Sequence, residues 1–197
     1  METFTQLLNA DALPLLLAIT TIFIMAGLVK GVVGLGLPTV AVGLLGLVMT
    51  PMEAASLLIV PSAVTNVWQL AAGPSFWPLL RRLRLMLTAI CAGTLAGGMM
   101  LPRDLTGYAT MALGAALMLY AIIGLAAMRI TVPARLEAWL SPVAGAATGL
   151  VTSATGVFVI PAVPYLQGLG LDKEELVQAL GLAFTVSTFA LAASLAL

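Results

Sequence analysis

The stretch GLVKGVVGLGLP, residues 27–38, decides the fold because it interrupts an apolar segment that runs from Leu13 to Met49. Glycine and proline weaken a helix, and a lysine costs free energy in hydrocarbon. At 37 residues, the segment is too long for one crossing of the bilayer and slightly short for two. We therefore predict a hairpin over 13–49, with a helix to about Val29, an irregular turn, and a second helix of about 13 residues.

The composition indicates that most of the chain lies in lipid. Hydrophobic residues make up 61% of it and charged residues only 8%, whereas soluble domains carry about a quarter charged residues. Most of the charge-poor runs approach or exceed the roughly 20 residues that span a bilayer as a helix. The sequence therefore predicts an all-α polytopic membrane protein. The runs are 13–29, 54–72, 85–101, 105–128, 138–156 and 176–197.

Several other classes of protein are excluded by what the chain lacks. Glu2 and Asp11 without a basic residue argue against a cleaved signal peptide. A single cysteine, Cys91, and no histidine exclude an internal disulfide, a CxxC redox pair and a cysteine-rich or histidine-rich metal site. GVVGLG follows no strand and has no later acidic partner, so it does not indicate nucleotide binding. We expect no metal, no cofactor and no nucleic-acid partner.

Basic residues in short loops mark the cytoplasmic side, and two segments carry most of them. These are FWPLLRRLR, residues 76–84, and RITVPARLE, residues 129–137. The two predicted spans 85–101 and 105–128 lie between them, so both loops can be cytoplasmic. The turn TPME, residues 50–53, is then external. Since a hairpin returns to its starting side, the N-terminus is also predicted to be external.

The hairpin occurs twice in the chain, at an offset of 122 residues. Over 27–53 the two copies share eight identities, among them Gly34/Gly156 and Glu53/Glu175. We predict a first repeat, 1–128, and an incomplete second repeat, 129–197, with a hairpin at 138–171 and a span at 176–197. Five crossings separate the two hairpins, so the repeats have inverted topology. Nothing matches 85–128, and we therefore expect the chain to be a fragment of a longer protein.

The segments 26–70 and 179–192 resemble the TauE/SafE sulfite-exporter family, also called the toluene-sulfonate uptake permeases. They read AGLVKGVVGLGLPTVAVGLLGLVMTPMEAASLLIVPSAVTNVWQL and ALGLAFTVSTFALA. The resemblance covers essentially the whole chain and implies two repeats of about four segments each, without the last C-terminal helices. It also implies export or uptake of sulfite, sulfonates, sulfoacetate or other small anions across the bacterial inner membrane. Many members carry a triple glycine that Leu35 and Leu37 interrupt here, which leaves the substrate open.

The two helix breaks are the first candidate binding site. A helix N-terminus carries a partial positive charge and free N–H donors, which suits an anion, and glycine lets the backbone approach closely. Facing breaks near the midplane would bind one small oxyanion, although the same glycines could serve helix packing alone. The candidate residues are Gly31, Gly34, Gly36 and Thr39 in the first copy and Thr152, Ser153, Thr155 and Gly156 in the second.

A polar stripe follows each hairpin, and one lysine precedes the first break. The stripes lie on one helix face and predict a pathway lining, with interhelical hydrogen bonding as the alternative. Lys30 lies inside a predicted span and is a functional candidate by default. It could bind the anion, exchange a proton, or extend to the headgroups. The stripe residues are Ser62, Thr65, Asn66 and Gln69, with Thr185, Ser187 and Thr188 in the second copy.

These features favour a secondary transporter of small sulfur-containing or organic anions. An anion channel and a non-transporting membrane assembly protein are the alternatives, and an enzyme is disfavoured because the clusters of a metal or serine site are missing. The expected partners are the anionic substrate and the lipid bilayer. Proton coupling stays open without an obvious relay, and the sequence leaves the oligomeric state undetermined.

Overall fold

The computed structural model describes residues 13–100, 106–125 and 131–196, and these residues form helices joined by short connections. Three predictions concern residues outside the described ranges. They are the external N-terminus, the turn at 102–104 and the end of the 105–128 span. We number the helices in chain order. They are α1 (Leu13–Val33), α2 (Leu37–Leu45), α3 (Pro51–Ala71), α4 (Phe76–Met100), α5 (Thr106–Leu125), α6 (Ala134–Thr155), α7 (Ala162–Gly168) and α8 (Lys173–Ala196).

Four helices, α1, α3, α4 and α8, are long and apolar enough to cross a membrane. Each has 21 to 25 residues, and at 1.5 Å per residue this length spans the hydrocarbon core. The described residues contain no strand. The prediction of an all-α polytopic membrane protein is confirmed.

Both predicted helix breaks are present, and both begin with a glycine in the same backbone conformation. Gly34 and Gly156 have φ angles of 79° and 72°, a left-handed conformation that glycine adopts without a steric penalty. Their N–H groups donate to the carbonyl oxygens of Lys30 and Thr152, at 2.7 and 2.8 Å. These hydrogen bonds end α1 and α6 at positions that are 122 residues apart. The starts of α3 and α8 differ by the same number. The bounds of the two repeats stay a prediction.

The bounds of several elements differ from those predicted. Helix α1 continues to Val33 rather than ending near Val29, and α2 has nine residues rather than about 13. The segment 76–84, predicted to be a basic loop, is entirely helical because α4 begins at Phe76. Pro78 is tolerated in the first turn, where its missing N–H has no intrahelical partner. The apolar run that was used for the prediction stops at the arginines of this segment, but the helical hydrogen bonds continue through them.

Helix α3 begins with a reciprocal side-chain cap. Thr50 precedes the helix and accepts a hydrogen bond from the Glu53 N–H, while the Glu53 carboxylate accepts one from the Thr50 N–H at 2.8 Å. This is a capping box, which fixes the start of the helix. Glu175, its counterpart in the second copy, lies in the first turn of α8.

Helices α4 and α6 form the most extensive helix pair, and they run parallel. Small residues at four-residue spacing let the two backbones approach closely. A Cβ on Gly93 would lie 2.6 Å from the Ala146 carbonyl oxygen, and one on Gly149 would lie 2.5 Å from that of Ile90. At the start of the pair, Arg82 donates to Glu137 at 2.7 and 2.9 Å. The residues around 82 and 137 therefore lie on the same side of the membrane.

Helices α3 and α8 pack against each other in antiparallel orientation. Gly181 lies against the backbone of Leu70, and the Gln178 side chain donates to the carbonyl oxygens of Leu70 and Gly73 at 2.9 and 2.8 Å. The Ser75 N–H donates to the Gln178 Oε1 at 2.7 Å. This network fixes the end of α3 against the start of α8, next to the first break.

Candidate functional site

Lys30 is buried inside the helical assembly, with 8% of its surface exposed. Its ammonium donates a hydrogen bond to Asn66 Oδ1, and Asn66 Nδ2 donates to Thr188 Oγ1 at 3.2 Å. The alternative in which Lys30 extends to the headgroups is therefore not the arrangement found. The three side chains connect α1, α3 and α8 through one polar chain within the membrane-spanning part of the molecule.

The position of Lys30 follows from the first break. Lys30 lies in the last turn of α1, where the partial negative charge of the helix C-terminus favours a cation. Gln69 Nε2 donates to the Gly34 carbonyl oxygen at 2.9 Å and to the Val177 carbonyl oxygen at 3.0 Å. Gln69 thus stabilises the exposed backbone of the break, while its Oε1 is buried and has no hydrogen-bond partner among the described residues.

A cavity of about 940 Å³ lies beside this polar chain, between α1 and α3. Gly27, Lys30, Gly31 and Gly34 contribute to its wall from successive turns of α1 and from the break. A Cβ on Gly27 or Gly31 would meet nothing within 4 Å, so these glycines leave the space that forms the cavity. Thr65 and Gln69 line the side formed by α3. Lys30 is the charged residue among the described lining residues, and most of the others are apolar.

The remaining predicted residues of the first copy surround this site without all reaching the cavity. Gly36 is the N-cap of α2, with Pro38 in the first turn. The hydroxyl oxygens of Thr39 and Ser62 are buried, and within the described ranges neither has a hydrogen-bond partner. The Thr65 hydroxyl donates to the Pro61 carbonyl oxygen at 2.8 Å.

The second break is packed tightly among the described residues. Thr152, Ser153 and Thr155 are buried, and their hydroxyls donate to carbonyl oxygens of the preceding turn at 2.7 to 2.8 Å. A Cβ on Gly156 would collide with that of Ala55. The hydroxyls predicted to donate to an anion are therefore already donating to the backbone.

The prediction that the two breaks face each other is wrong. Gly34 lies beside Gln69, near the end of α3, and Gly156 lies beside Ala55, near its start. Fourteen residues of one helix separate these contacts, which is about 21 Å at 1.5 Å per residue. Gly34 and Gly156, at which the two breaks begin, therefore pack at different levels of α3 and do not lie opposite each other.

The polar stripe of the second copy lies on α8 in the interior. Thr185 and Thr188 donate to the carbonyl oxygens of Gly181 and Phe184 at 2.6 and 2.7 Å. Ser187 is fully buried, and its hydroxyl has no hydrogen-bond partner in the part of the chain that the structure describes. Of this stripe, only Thr188 joins the Lys30 chain through the hydrogen bonds found.

Two features of the site were missed from the sequence. Gly27 and Val177 line the cavity, and neither was a predicted site residue. Gly27 could have been found, because it precedes Gly31 by four residues and so lies on the same helix face. Val177 contributes from a helix distant in sequence, and no local pattern indicates this.

The fold and the site together define a polytopic helical membrane protein with a buried charged residue next to a cavity at an interrupted helix. Secondary transporters share this combination. The chain belongs to the sulfite exporter TauE/SafE family, whose family model matches residues 19–197. The family is one of membrane transporters, and the predicted membership is confirmed. A search of curated proteins and a search of solved structures gave no match.

Proposed function

We propose that the protein is a secondary transporter of small sulfur-containing or organic anions in the bacterial inner membrane, and that the anion binds next to Lys30. The observation that carries this proposal is a buried ammonium with a neutral partner. Asn66 accepts its hydrogen bond, and within the described ranges no carboxylate forms an ion pair with it. The charge is therefore available to an anion that enters the cavity.

Electrostatics favour this binding mode over a purely structural role for the lysine. Removing an ammonium from water costs several kcal/mol even after relaxation, and a single neutral hydrogen bond does not offset this cost. A sulfonate or sulfite oxygen beside Nζ would supply the missing counter-charge. Gly31 and Gly34 leave room for it, because a Cβ on either would have no neighbour closer than 3.9 Å.

The wall of the cavity favours an anion with an apolar body. Valine, alanine and tryptophan side chains of α3 form much of the surface opposite Lys30. The volume of about 940 Å³ lies at the upper end of the range for small-molecule pockets. An organic sulfonate would place its charged group at Lys30 and its apolar part against α3. We therefore rank organic sulfonates above bare sulfite as substrates of this chain.

The contact between Asn66 and Thr188 supports transport by two related halves. The two residues are 122 positions apart and are hydrogen-bonded to each other, and 122 is the offset of the predicted repeats. Two positions related by a twofold axis can touch only where they lie close to that axis. The polar chain from Lys30 would thus end at the centre of an inverted repeat, where transporters of this architecture bind their substrates.

The test is uptake into proteoliposomes that contain the full chain. Toluenesulfonate, sulfoacetate, sulfite and acetate would be compared as substrates and as competitors, with and without an imposed pH gradient. We expect saturable uptake, with toluenesulfonate competing at lower concentration than sulfite or acetate. Stimulation by an inward proton gradient would add proton coupling to the proposal. Flux that does not saturate and appears as single-channel currents would replace the transporter with a channel.

A further inference from the structure

A second polar cleft lies where α4 and α6 begin, and no residue of it lines the Lys30 cavity. It has a volume of about 310 Å³. Three arginines of α4 line one side, and Glu137 and Ser141 of α6 line the other. Ala134 and Ala138, one helical turn apart, leave the opening between them. The cleft is therefore a recess between two helices and not only the charged surface of one helix.

The charges in this cleft are not balanced. Arg82 forms an ion pair with Glu137 and also donates to the Leu169 carbonyl oxygen at 3.3 Å. Arg81 and Arg84 have neither an ion-pair partner nor a hydrogen-bond partner among the described residues. Three guanidinium groups and one carboxylate give the lining a net charge of +2.

Ser141 provides an independent indication of a ligand. Its side chain lines the cleft with only 2% of the residue exposed, and its hydroxyl has no hydrogen-bond partner in the described part of the chain. The Tyr165 hydroxyl lies next to it, and a hydrogen bond between the two hydroxyls would still leave one of their two protons without an acceptor among the described residues. A buried hydroxyl without a partner costs about 1–3 kcal/mol, and an anion in the cleft would accept its hydrogen bond.

We propose that this cleft binds the phosphate group of an anionic phospholipid. Arginine suits phosphate because its planar donors match the phosphate oxygens. Trp77 and Trp139 are exposed on the same two helices, and tryptophan anchors helices at the headgroup level. Below them, the exposed side chains of Leu85 and Val143 offer an apolar surface to acyl chains. Basic pockets between membrane helices bind anionic headgroups in this way.

The experiment uses quenching of tryptophan fluorescence by brominated lipids, with the full chain in vesicles. The substitutions Trp68→Phe and Trp139→Phe leave Trp77, which precedes Arg81 by one turn on the same face of α4. We expect brominated phosphatidylglycerol to bind at least fivefold better than brominated phosphatidylcholine, since a basic residue near the surface contributes roughly a fivefold factor. The double variant Arg81→Gln/Arg84→Gln should lose this preference.

Two further variants separate a shaped cleft from general surface charge. Arg135→Gln removes an exposed arginine in the first turn of α6 that does not line the cleft, and it should lower the preference much less than the double variant does. Ala138→Leu fills the opening but keeps every charge, and it should lower the preference severalfold. Equal quenching by the two lipids, or an Ala138→Leu variant that keeps the full preference, would overturn the proposal. Displacement of the lipid by millimolar inorganic phosphate would assign the cleft to a soluble anion instead.

Discussion

The substitution Lys30→Met tests the candidate transport site most directly, because it removes the charge and keeps a long, flexible side chain. The lost contact is the hydrogen bond to Asn66. Leaving the buried Asn66 Oδ1 without a donor costs about 1–3 kcal/mol. Removing the buried ammonium also removes its desolvation cost, which is several kcal/mol. These effects oppose each other, so we expect thermal stability to stay close to that of the wild type or to rise.

Transport should respond very differently. If the ammonium pairs with the substrate anion in the cavity, its removal costs about 2–5 kcal/mol of binding free energy. This corresponds to a loss of about 30- to 4,000-fold in apparent affinity. Saturable uptake of toluenesulfonate into proteoliposomes measures the change, and a thermal melt of the same preparation measures the stability. Uptake should fall below the detection limit while the melting temperature is retained.

Lys173→Met is the matched control. Lys173 is exposed in the first turn of α8, so the same substitution there should alter neither uptake nor stability. The assignment of Lys30 to the substrate would be wrong if Lys30→Met transported with wild-type affinity. A large loss of stability in this variant would instead assign the lysine a structural role.

Three other predictions address the cavity, the helix packing and the threading. Gly31→Leu fills the cavity and should reduce uptake at least tenfold with little change in stability, whereas Gly114→Leu, also next to open space, should leave uptake intact. Gly149→Ala places a methyl group 2.5 Å from a carbonyl oxygen of α4. It should destabilise the protein by about 1–3 kcal/mol in a thermal or denaturant melt. Gly31→Ala is the control, because its methyl group meets no neighbour and should leave the stability unchanged. Single cysteines at Arg84 and Arg135, in a background lacking the native cysteine, should label from the same side of the membrane.

The local features of the fold were predictable because they depend on local chemistry. Glycine before a proline indicated a break near 34–38, and the helix does end there because Gly34 adopts a left-handed conformation. A turn was predicted at 50–53 before the apolar run 54–72, and a helix does begin there, capped by Thr50 and Glu53. Helix α4 was predicted to begin too late, because hydropathy describes the preference for lipid, whereas helix formation depends on backbone hydrogen bonds that arginine supports well.

The site itself was only half predictable. Its residue types were evident, since a lysine and an asparagine are costly in hydrocarbon wherever they occur. Their mutual contact was not, because Lys30 and Asn66 are 36 positions apart and come from different helices. The distance between the two breaks was also not encoded in any local pattern. It depends on the position along α3 at which each break packs.

The two predicted repeats have diverged in the residues that could contact a substrate. At the offset of 122, the counterpart of Lys30 is Thr152, whose hydroxyl donates to the backbone one turn earlier. Gly34 opens on a cavity, while its counterpart Gly156 is closed against Ala55. A left-handed glycine thus ends the helix in both copies, but among the described residues the charge and the open space occur together only at the first break. If the proposed binding mode holds, a single substrate anion would meet its counter-charge at the first break, and transport should then depend on Lys30 rather than on the pair of helix dipoles.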